Sequence, residues 1–109
     1  MTRLFISQPM RGKTDEQILA ERKEAVASAE RYLGEKVVVI DSYFKGANCP
    51  GLYPLFLLGK AIELLATADV VYFTKGWEDA RGCRIEHTCA IEYGIKVIEE
   101  KKQSPPGCE

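Results

Sequence analysis

The fold is decided by residues 69–94, which read DVVYFTKGWEDARGCRIEHTCAIEYG. The β-branched and aromatic run 69–74 predicts a strand. After a polar, glycine-containing loop, apolar residues at helical spacing predict a helix over about 83–93. A second β-rich run, 96–99, follows directly. Strand, helix and strand in this order are typical of a right-handed βαβ unit, from which parallel sheets are built.

The same alternation continues towards the N-terminus. Two more strands are predicted at 3–7 and 37–40, and the second is apolar enough that we expect it to be covered on both faces. Thr14 and Gln17 have the spacing of a capping box, which predicts the start of a helix. Gly34 is placed to end that helix.

Strands and helices alternating along the whole chain predict the α/β class. A third helix is predicted over 53–66. We therefore expect a three-layer flavodoxin- or Rossmann-like domain with a mainly parallel sheet of four to five strands. Residues 1–103 form this single domain, and 104–109, with two prolines and a glycine, are expected to be a flexible tail.

The charge balance disfavours several classes of partner. Among 109 residues, 15 Lys and Arg face 16 Asp and Glu, a formal net charge of −1. This balance gives no overall field for a polyanion, so neither a nucleic-acid polymer nor a membrane surface is expected as partner. The longest aliphatic run, 37–40, is far shorter than the ~20 apolar residues that cross a bilayer. We expect no secretory signal.

The cysteines show no metal-binding spacing. No CxxC pair occurs among them, and the sequence has one histidine, His87. The cysteines are Cys49, Cys83, Cys89 and Cys108. We therefore expect no metal site and no other cofactor. A chain long enough to bury its own core needs no disulfide framework, so reduced thiols and a cytoplasmic location are expected.

Three segments lie where open α/β sheets bind ligands, beyond the carboxyl ends of the strands and near the reversal of strand order. They are 7–13, 41–53 and 74–86. In the first, Arg11 lies near a predicted helix N-terminus, where free N–H groups and a guanidinium favour an anion such as a phosphate. The alternative is a solvated loop whose charges serve solubility.

Aromatic residues occur in the second and third segments. Tyr43 and Phe44 belong to a long loop and are suited to stacking on a planar ring. The commoner role of such side chains is to close one end of a core. Trp77 has the same two interpretations, a pocket wall or a packing anchor.

Glu86 is the main catalytic candidate. It is predicted in the first turn of a helix that follows a strand, where the helix dipole favours the carboxylate and partial burial raises its pKa. A charged carboxylate in a partly dry cleft is suited to attack on a cationic sugar carbon. The alternative is that a glutamate lies here for dipole reasons alone. Its neighbour His87 points about 100° away around the helix and is interpreted as a surface group or a supporting group rather than a base.

Taken together, these segments resemble the nucleoside 2-deoxyribosyltransferase-like superfamily, especially its small members. The resemblance is carried by ISQPMRG at 6–12, ADVVYF at 68–73, and Gly-Trp-Glu from Gly76 followed by Gly82 and Glu86. It implies a flavodoxin-like sheet and a homodimer or higher homo-oligomer. Characterised members cleave or exchange the N-glycosidic bond of 2′-deoxynucleosides, and a related branch hydrolyses nucleoside 5′-monophosphates.

The resemblance also implies roles for individual residues. Glu86 matches the nucleophile that attacks the anomeric carbon, and 7–11 match the segment that holds the sugar or its phosphate. One position departs from the pattern, because Ala61 stands where many relatives have an aspartate that holds the sugar or handles the proton. Asp79 or Glu78, both in the loop before the helix, could then supply the proton, and Asp79 is the candidate proton donor.

The resulting hypothesis is a hydrolase or transferase acting on the N-glycosidic bond of a (deoxy)nucleoside or nucleoside 5′-monophosphate. The alternatives are a non-catalytic nucleotide-binding or sensing module and a small dimeric interaction domain. The catalytic residues are predicted to be Glu86 and Asp79. The substrate-binding residues are predicted to be Ser7, Met10, Arg11, Gly12, Lys13, Tyr43, Phe44, Trp77 and Gly82.

Overall fold

A parallel sheet with helices on both faces forms the structure, a computed structural model that describes residues 1–43 and 53–100. This arrangement confirms the predicted α/β class. In chain order the elements are β1 (Thr2–Ser7), α1 (Asp15–Leu33), β2 (Val37–Val39), α2 (Tyr53–Leu65), β3 (Val70–Phe73), a single 3-10 turn (Trp77–Asp79), α3 (Arg81–Glu92) and β4 (Lys96–Glu99). The predicted tail, 104–109, lies outside the described residues.

The strand order explains where a ligand would bind. The four described strands run parallel in the order β2-β1-β3-β4. The chain moves from β1 outwards to β2 and then crosses back to β3 on the other side of β1. Strand order therefore reverses between β1 and β3, whose carboxyl ends meet at the pair Ser7 and Phe73. Open α/β sheets bind ligands just beyond such a reversal.

Alternating residues of the central strands supply two separate cores, as the period of two in a strand requires. One core packs against α1 and contains Leu4, Ile6, Ala25, Ala29, Val70, Tyr72 and Ile98. The other packs against α2 and α3 and contains Phe5, Ile40, Ala61, Leu65, Val71, Phe73 and Ala90. The sheet is thus the middle of three layers.

The first helix begins and ends as predicted. The Thr14 hydroxyl accepts a hydrogen bond from the Gln17 backbone N–H at 3.1 Å, and Gln17 Oε1 accepts one from the Thr14 N–H at 2.9 Å. This reciprocal pair is the capping box. At the other end Gly34 has φ 72°, and its N–H donates to Glu30 O. A left-handed residue of this kind is the usual reason for glycine after a helix.

The prediction that 37–40 is covered on both faces is wrong. Val38 and Val39 are 42% and 39% exposed. The cause is the position of β2 in the sheet, because it is an edge strand with β1 as its single neighbour among the strands of the described residues. An apolar run marks a strand, but it does not distinguish a central strand from an edge.

In residues 1–43 and 53–100, no helix has the length and apolar character needed to cross a bilayer.

Candidate active site

An open cavity of about 740 Å³ lies beyond the carboxyl ends of β1 and β3. Its wall is formed by the loop after β1, by α2, and by the 3-10 turn with the first turns of α3. A volume of this size is typical of pockets that hold small molecules. Its position is the one that the reversal of strand order predicts.

Glu86 lies on the cavity wall with its carboxylate largely buried. The side chain is 8% exposed, and the hydroxyl of Ser7, the last residue of β1, donates to Glu86 Oε1 at 2.6 Å. The two residues are 79 positions apart in sequence. The pairing of β1 with β3 and the packing of α3 on the sheet bring them together.

Burial, more than the helix dipole, sets the ionisation of Glu86. The helix begins at Arg81, so Glu86 lies in its second turn, and the predicted place in the first turn is wrong. Ala80 adopts the extended conformation of an N-cap and starts the helix two residues before the predicted position. Desolvation raises the pKa of Glu86 to about 7, and the Ser7 hydrogen bond opposes it.

Cys83 lies beside this pair with its thiol buried. It lines the cavity and is 4% exposed. Its pKa is raised to about 11, mainly by burial; a hydrogen bond with Ser7 opposes the rise and the charge of Glu86 adds to it. Because the thiolate is the nucleophilic form, Cys83 is poorly suited to nucleophilic catalysis. The carboxylate of Glu86 is therefore better suited to that role than the neighbouring thiol.

The cavity also has a cationic side. Arg11 from the loop after β1 and Arg81 and Arg84 from α3 all line it. Arg84 Nη1 donates to Glu78 O at 3.0 Å, which ties α3 to the 3-10 turn. Asp79, at the end of that turn, lines the same cavity. Guanidinium groups and carboxylates thus surround one small volume, an arrangement that suits a ligand with an anionic end.

Residues 2–99 match the family described as "Domain of unknown function (DUF4406)". The chain belongs to the DUF4406 family. A 2-deoxyribosyltransferase from the psychrotolerant bacterium Bacillus psychrosaccharolyticus has a similar structure, with a TM-score of 0.58 and 17% sequence identity. The alignment covers 94% of this chain and 77% of that one. No curated protein matches the sequence.

This likeness shows a shared fold. It agrees with the fold that the sequence motifs imply, a flavodoxin-like arrangement of the parallel sheet.

Several residues that the sequence predicts for the site line the cavity beyond the carboxyl ends of β1 and β3. Those on its wall are Met10, Arg11, Asp79, Gly82 and Glu86. Ser7 supports them through its bond to Glu86. They come from the loop after β1 and from 79–86, two of the three segments chosen by the strand-end rule. Phe44, from the remaining segment, lies outside the described residues.

Other predicted residues lie away from the wall. Lys13 Nζ pairs with the carboxylate of Glu21 at 2.9 Å. Gly12 has φ 78° and shapes the turn before α1. The Tyr43 hydroxyl donates to Asp15 Oδ1. Gly12 and Lys13 lie in the loop after β1 and Tyr43 lies after β2, and none of the three is part of the cavity lining.

Trp77 is half-buried and packs against the core beside α2 and α3. Its ring stacks on His87 with centroids 4.3 Å apart and an interplanar angle of 18°, and Phe73 lies 5.2 Å away. His87 Nε2 in turn is 3.0 Å from Glu99 Oε2. Of the two interpretations from sequence, the packing anchor is the one that these contacts fit.

Some wall residues were missed by sequence reasoning. Gln8, Ser42, Arg81 and Arg84 all fall inside the chosen segments, but their direction depends on where each loop ends and each helix begins. No sequence signal marks the two arginines, because alanine is a poor N-cap residue and the cap at Ala80 makes no side-chain hydrogen bond. Within 1–43 and 53–100, no cluster of three or more His, Cys, Asp or Glu side chains is suited to a metal ion.

Proposed function

We propose that this protein breaks the N-glycosidic bond of a nucleoside or nucleoside 5′-monophosphate, with Glu86 as the nucleophile. The observation that carries the proposal is the buried Glu86 carboxylate, held by Ser7 at 2.6 Å on the wall of the switch-point cavity. A carboxylate in this setting is oriented and poorly hydrated. Both properties favour attack on the electrophilic anomeric carbon of a sugar.

The first step forms a glycosyl-enzyme. Ser7 holds Oε1, which leaves Glu86 Oε2 to form a bond with the anomeric carbon while the bond from that carbon to the base nitrogen breaks. The bonding pair leaves with the base nitrogen, which takes a proton. Asp79 is the proposed donor of that proton because it lines the same cavity.

The second step releases the sugar. Water, or a second base in the case of transfer, attacks the anomeric carbon and displaces the Glu86 carboxylate. The attacking group gives its proton to the Asp79 carboxylate, which restores the starting state. Retaining glycosidases use the same pairing of a nucleophilic carboxylate and an acid that becomes a base.

The structural neighbour supports glycosyl transfer between nucleosides. That 2-deoxyribosyltransferase is described as a biocatalyst for the synthesis of antiviral and antitumoral nucleosides. It shares the fold of this chain, and the strand-end cavity is the place where this fold binds ligands. The cationic side of the cavity, with Arg11, Arg81 and Arg84, favours a substrate that carries a 5′-phosphate.

A non-catalytic nucleotide-binding module is the second candidate. Ala61 lies on the cavity wall, where many members of the superfamily have an aspartate. The other wall residues from α2 are Pro54, Leu57 and Leu58, so this wall supplies no side chain that donates a proton. Such a surface binds a base or sugar face by apolar contact. The module would hold the ligand without turnover.

Self-association and a cytoplasmic location belong to the same proposal. Leu55 is 62% exposed and Ile85 38% exposed, and both line a shallow groove beside the cavity. Exposed apolar surface next to a site favours a homodimer or a higher homo-oligomer. The cytoplasmic location is proposed from the sequence, and the two described cysteines, Cys83 and Cys89, are free thiols. Sedimentation of the purified chain measures the oligomeric state directly.

A product assay separates the two candidate functions. The protein is incubated with 2′-deoxynucleosides, ribonucleosides and their 5′-monophosphates, and free base is measured by chromatography. Glu86→Gln should abolish base release. Glu92→Gln, which changes an exposed carboxylate on the same helix, should not. Binding of a nucleotide without base release supports the module, and equal release by wild type and Glu86→Gln removes the catalytic proposal.

A further inference from the structure

Arg22 is a buried cation on α1 that joins two loops of the cavity. It is 8% exposed. Nη1 donates to Gln8 Oε1 at 3.4 Å, and Nη2 donates to Ser42 Oγ at 3.1 Å and to Ile40 O at 3.5 Å. Gln8 and Ser42 line the cavity, and Arg22 lies behind them. The guanidinium therefore affects the site through these two partners.

Gln8 has no donor left for a ligand. Its Nε2 donates to Ile18 O and to Glu21 Oε1, both at 2.9 Å, and its Oε1 accepts from Arg22. A primary amide has two N–H donors, and both are used here. The amide orientation is thus fixed from both sides. Gln8 anchors the loop after β1 to α1.

Ser42 is different, because its proton has no partner among the described residues. Its oxygen accepts from Arg22, and a guanidinium is a donor only. Among residues 1–43 and 53–100, no acceptor receives the Ser42 hydroxyl proton, although the residue is 7% exposed. Buried polar groups are normally hydrogen-bonded. Since Ser42 lines the cavity, a bound ligand is the natural acceptor.

The charge behind Ser42 strengthens that donor. A hydroxyl that accepts from a cation is polarised, and its own O–H becomes a better hydrogen-bond donor. Burial lowers the pKa of Arg22, while the charge of Asp41, next to Ser42 in sequence, favours the protonated guanidinium. Arginine keeps its charge in proteins. The pair thus presents one polarised O–H to the cavity.

We propose that Ser42 is a substrate-binding residue that donates a hydrogen bond to an acceptor oxygen of the ligand, and that Arg22 is its positioning residue. This inference rests on the proposed function for the class of ligand, a nucleoside or its 5′-monophosphate. The acceptor belongs either to the phosphate or to the nucleoside itself. Comparison of the two ligands distinguishes these sources.

Binding measurements test the proposal separately from turnover. Calorimetry with 2′-deoxyadenosine and its 5′-monophosphate is performed on the full chain carrying Glu86→Gln, so that neither ligand is consumed. Ser42→Ala and Arg22→Met are then added, each alone and both together. The matched control is Ser28→Ala, which changes a half-buried serine on α1 whose hydroxyl contacts Tyr72 and does not line the cavity. Arg22→Lys keeps the charge if Arg22→Met fails to fold.

Ser42→Ala should raise Kd about 3- to 10-fold, the range that one hydrogen bond provides, and Ser28→Ala should leave Kd unchanged. Arg22→Met should weaken binding by a similar factor, but by less when Ser42 is already alanine, because coupled residues are not additive. Arg22→Lys should recover part of the loss. A larger effect on the monophosphate assigns the acceptor to the phosphate, and equal effects assign it to the nucleoside.

Three results overturn the proposal. They are an unchanged Kd in Ser42→Ala for both ligands, fully multiplicative effects of Arg22 and Ser42, and absence of binding by either ligand. Failure of the proposed function has a different signature. In that case ligands bind and respond to Ser42→Ala, but the protein with Glu86 intact releases no base.

Discussion

Replacing Glu86 with glutamine should stabilise the protein at alkaline pH and leave its stability unchanged in acid. Burial raises the pKa of this carboxyl from the ordinary 4.5 to about 7 in the folded protein. Each pH unit of such a difference corresponds to about 1.4 kcal/mol, so ionised Glu86 lowers the free energy of unfolding by about 3 kcal/mol. Glutamine carries no charge to desolvate, and its amide oxygen still accepts the Ser7 hydrogen bond.

The sign of the pH dependence follows from proton binding. Between pH 4.5 and about 7 the folded protein holds the Glu86 proton and the unfolded chain has lost it. The free energy of unfolding therefore falls as pH rises through this window. Above about pH 7 Glu86 is ionised in both states, and the free energy of unfolding is lowered by the full amount. Below this window both states are protonated and the residue contributes nothing to the pH dependence.

Urea denaturation of wild type and Glu86→Gln, at about pH 4 and about pH 8, measures this effect. Other carboxyl groups titrate alike in both proteins, so the difference between the proteins isolates Glu86. From the lower to the higher pH, the free energy of unfolding of Glu86→Gln should rise by about 3 kcal/mol relative to that of wild type. The free energy of unfolding of Glu92→Gln should change with pH as that of wild type does. A difference between wild type and Glu86→Gln that stays constant with pH would refute the desolvation of Glu86.

Three further predictions concern the neighbours of the site and the frame that holds it. Ser7→Ala removes a hydrogen bond that lowers the pKa of Glu86, so the acid limb of the pH–rate profile should move upwards from about 7; an unmoved limb would contradict the role of Ser7. Thr14→Ala breaks the capping box and should cost about 1 kcal/mol in urea denaturation, and no loss would contradict the capping geometry. Trp77→Leu should lower the free energy of unfolding by more than about 1 kcal/mol through lost packing on His87 and leave nucleotide affinity unchanged. A weaker affinity would instead restore Trp77 as a ligand contact.

Local signals in the sequence predict most of the fold. The capping box at Thr14 and the glycine at position 34 fix both ends of α1 because each acts within one turn of the chain. The exposure of β2 is a different kind of property. It depends on which strand lies at the sheet edge, and strand order is set by packing between distant parts of the chain.

The candidate site was predictable in outline. The strand-end rule predicts that the loop after β1 and the start of α3 lie at the same edge of the sheet. Ser7 and Glu86 do meet there, joined by a hydrogen bond. The rule does not give the direction of individual side chains. A difference of two residues in the start of α3 moved Glu86 from the first turn to the second.

Arg22 shows the limit of sequence reasoning most clearly. An arginine in the middle of an amphipathic helix is typical of a solvated face. Its long side chain instead reaches across to Gln8 and Ser42, and the guanidinium is buried where two loops meet. Only the packing of α1 against the ends of β1 and β2 determines that contact.

Intact-protein mass spectrometry during turnover can detect the glycosyl-enzyme itself, because a nucleophilic Glu86 must carry the sugar for part of each cycle. A 2′-deoxynucleoside or its 5′-monophosphate is mixed with the protein and quenched in acid within the first turnover. A covalent adduct with the mass of the sugar moiety is expected, located by peptide mapping on Glu86, absent in Glu86→Gln and retained in Glu92→Gln. Two results would contradict a nucleophilic Glu86. One is base release by wild type without an adduct on Glu86, and the other is undiminished base release by Glu86→Gln.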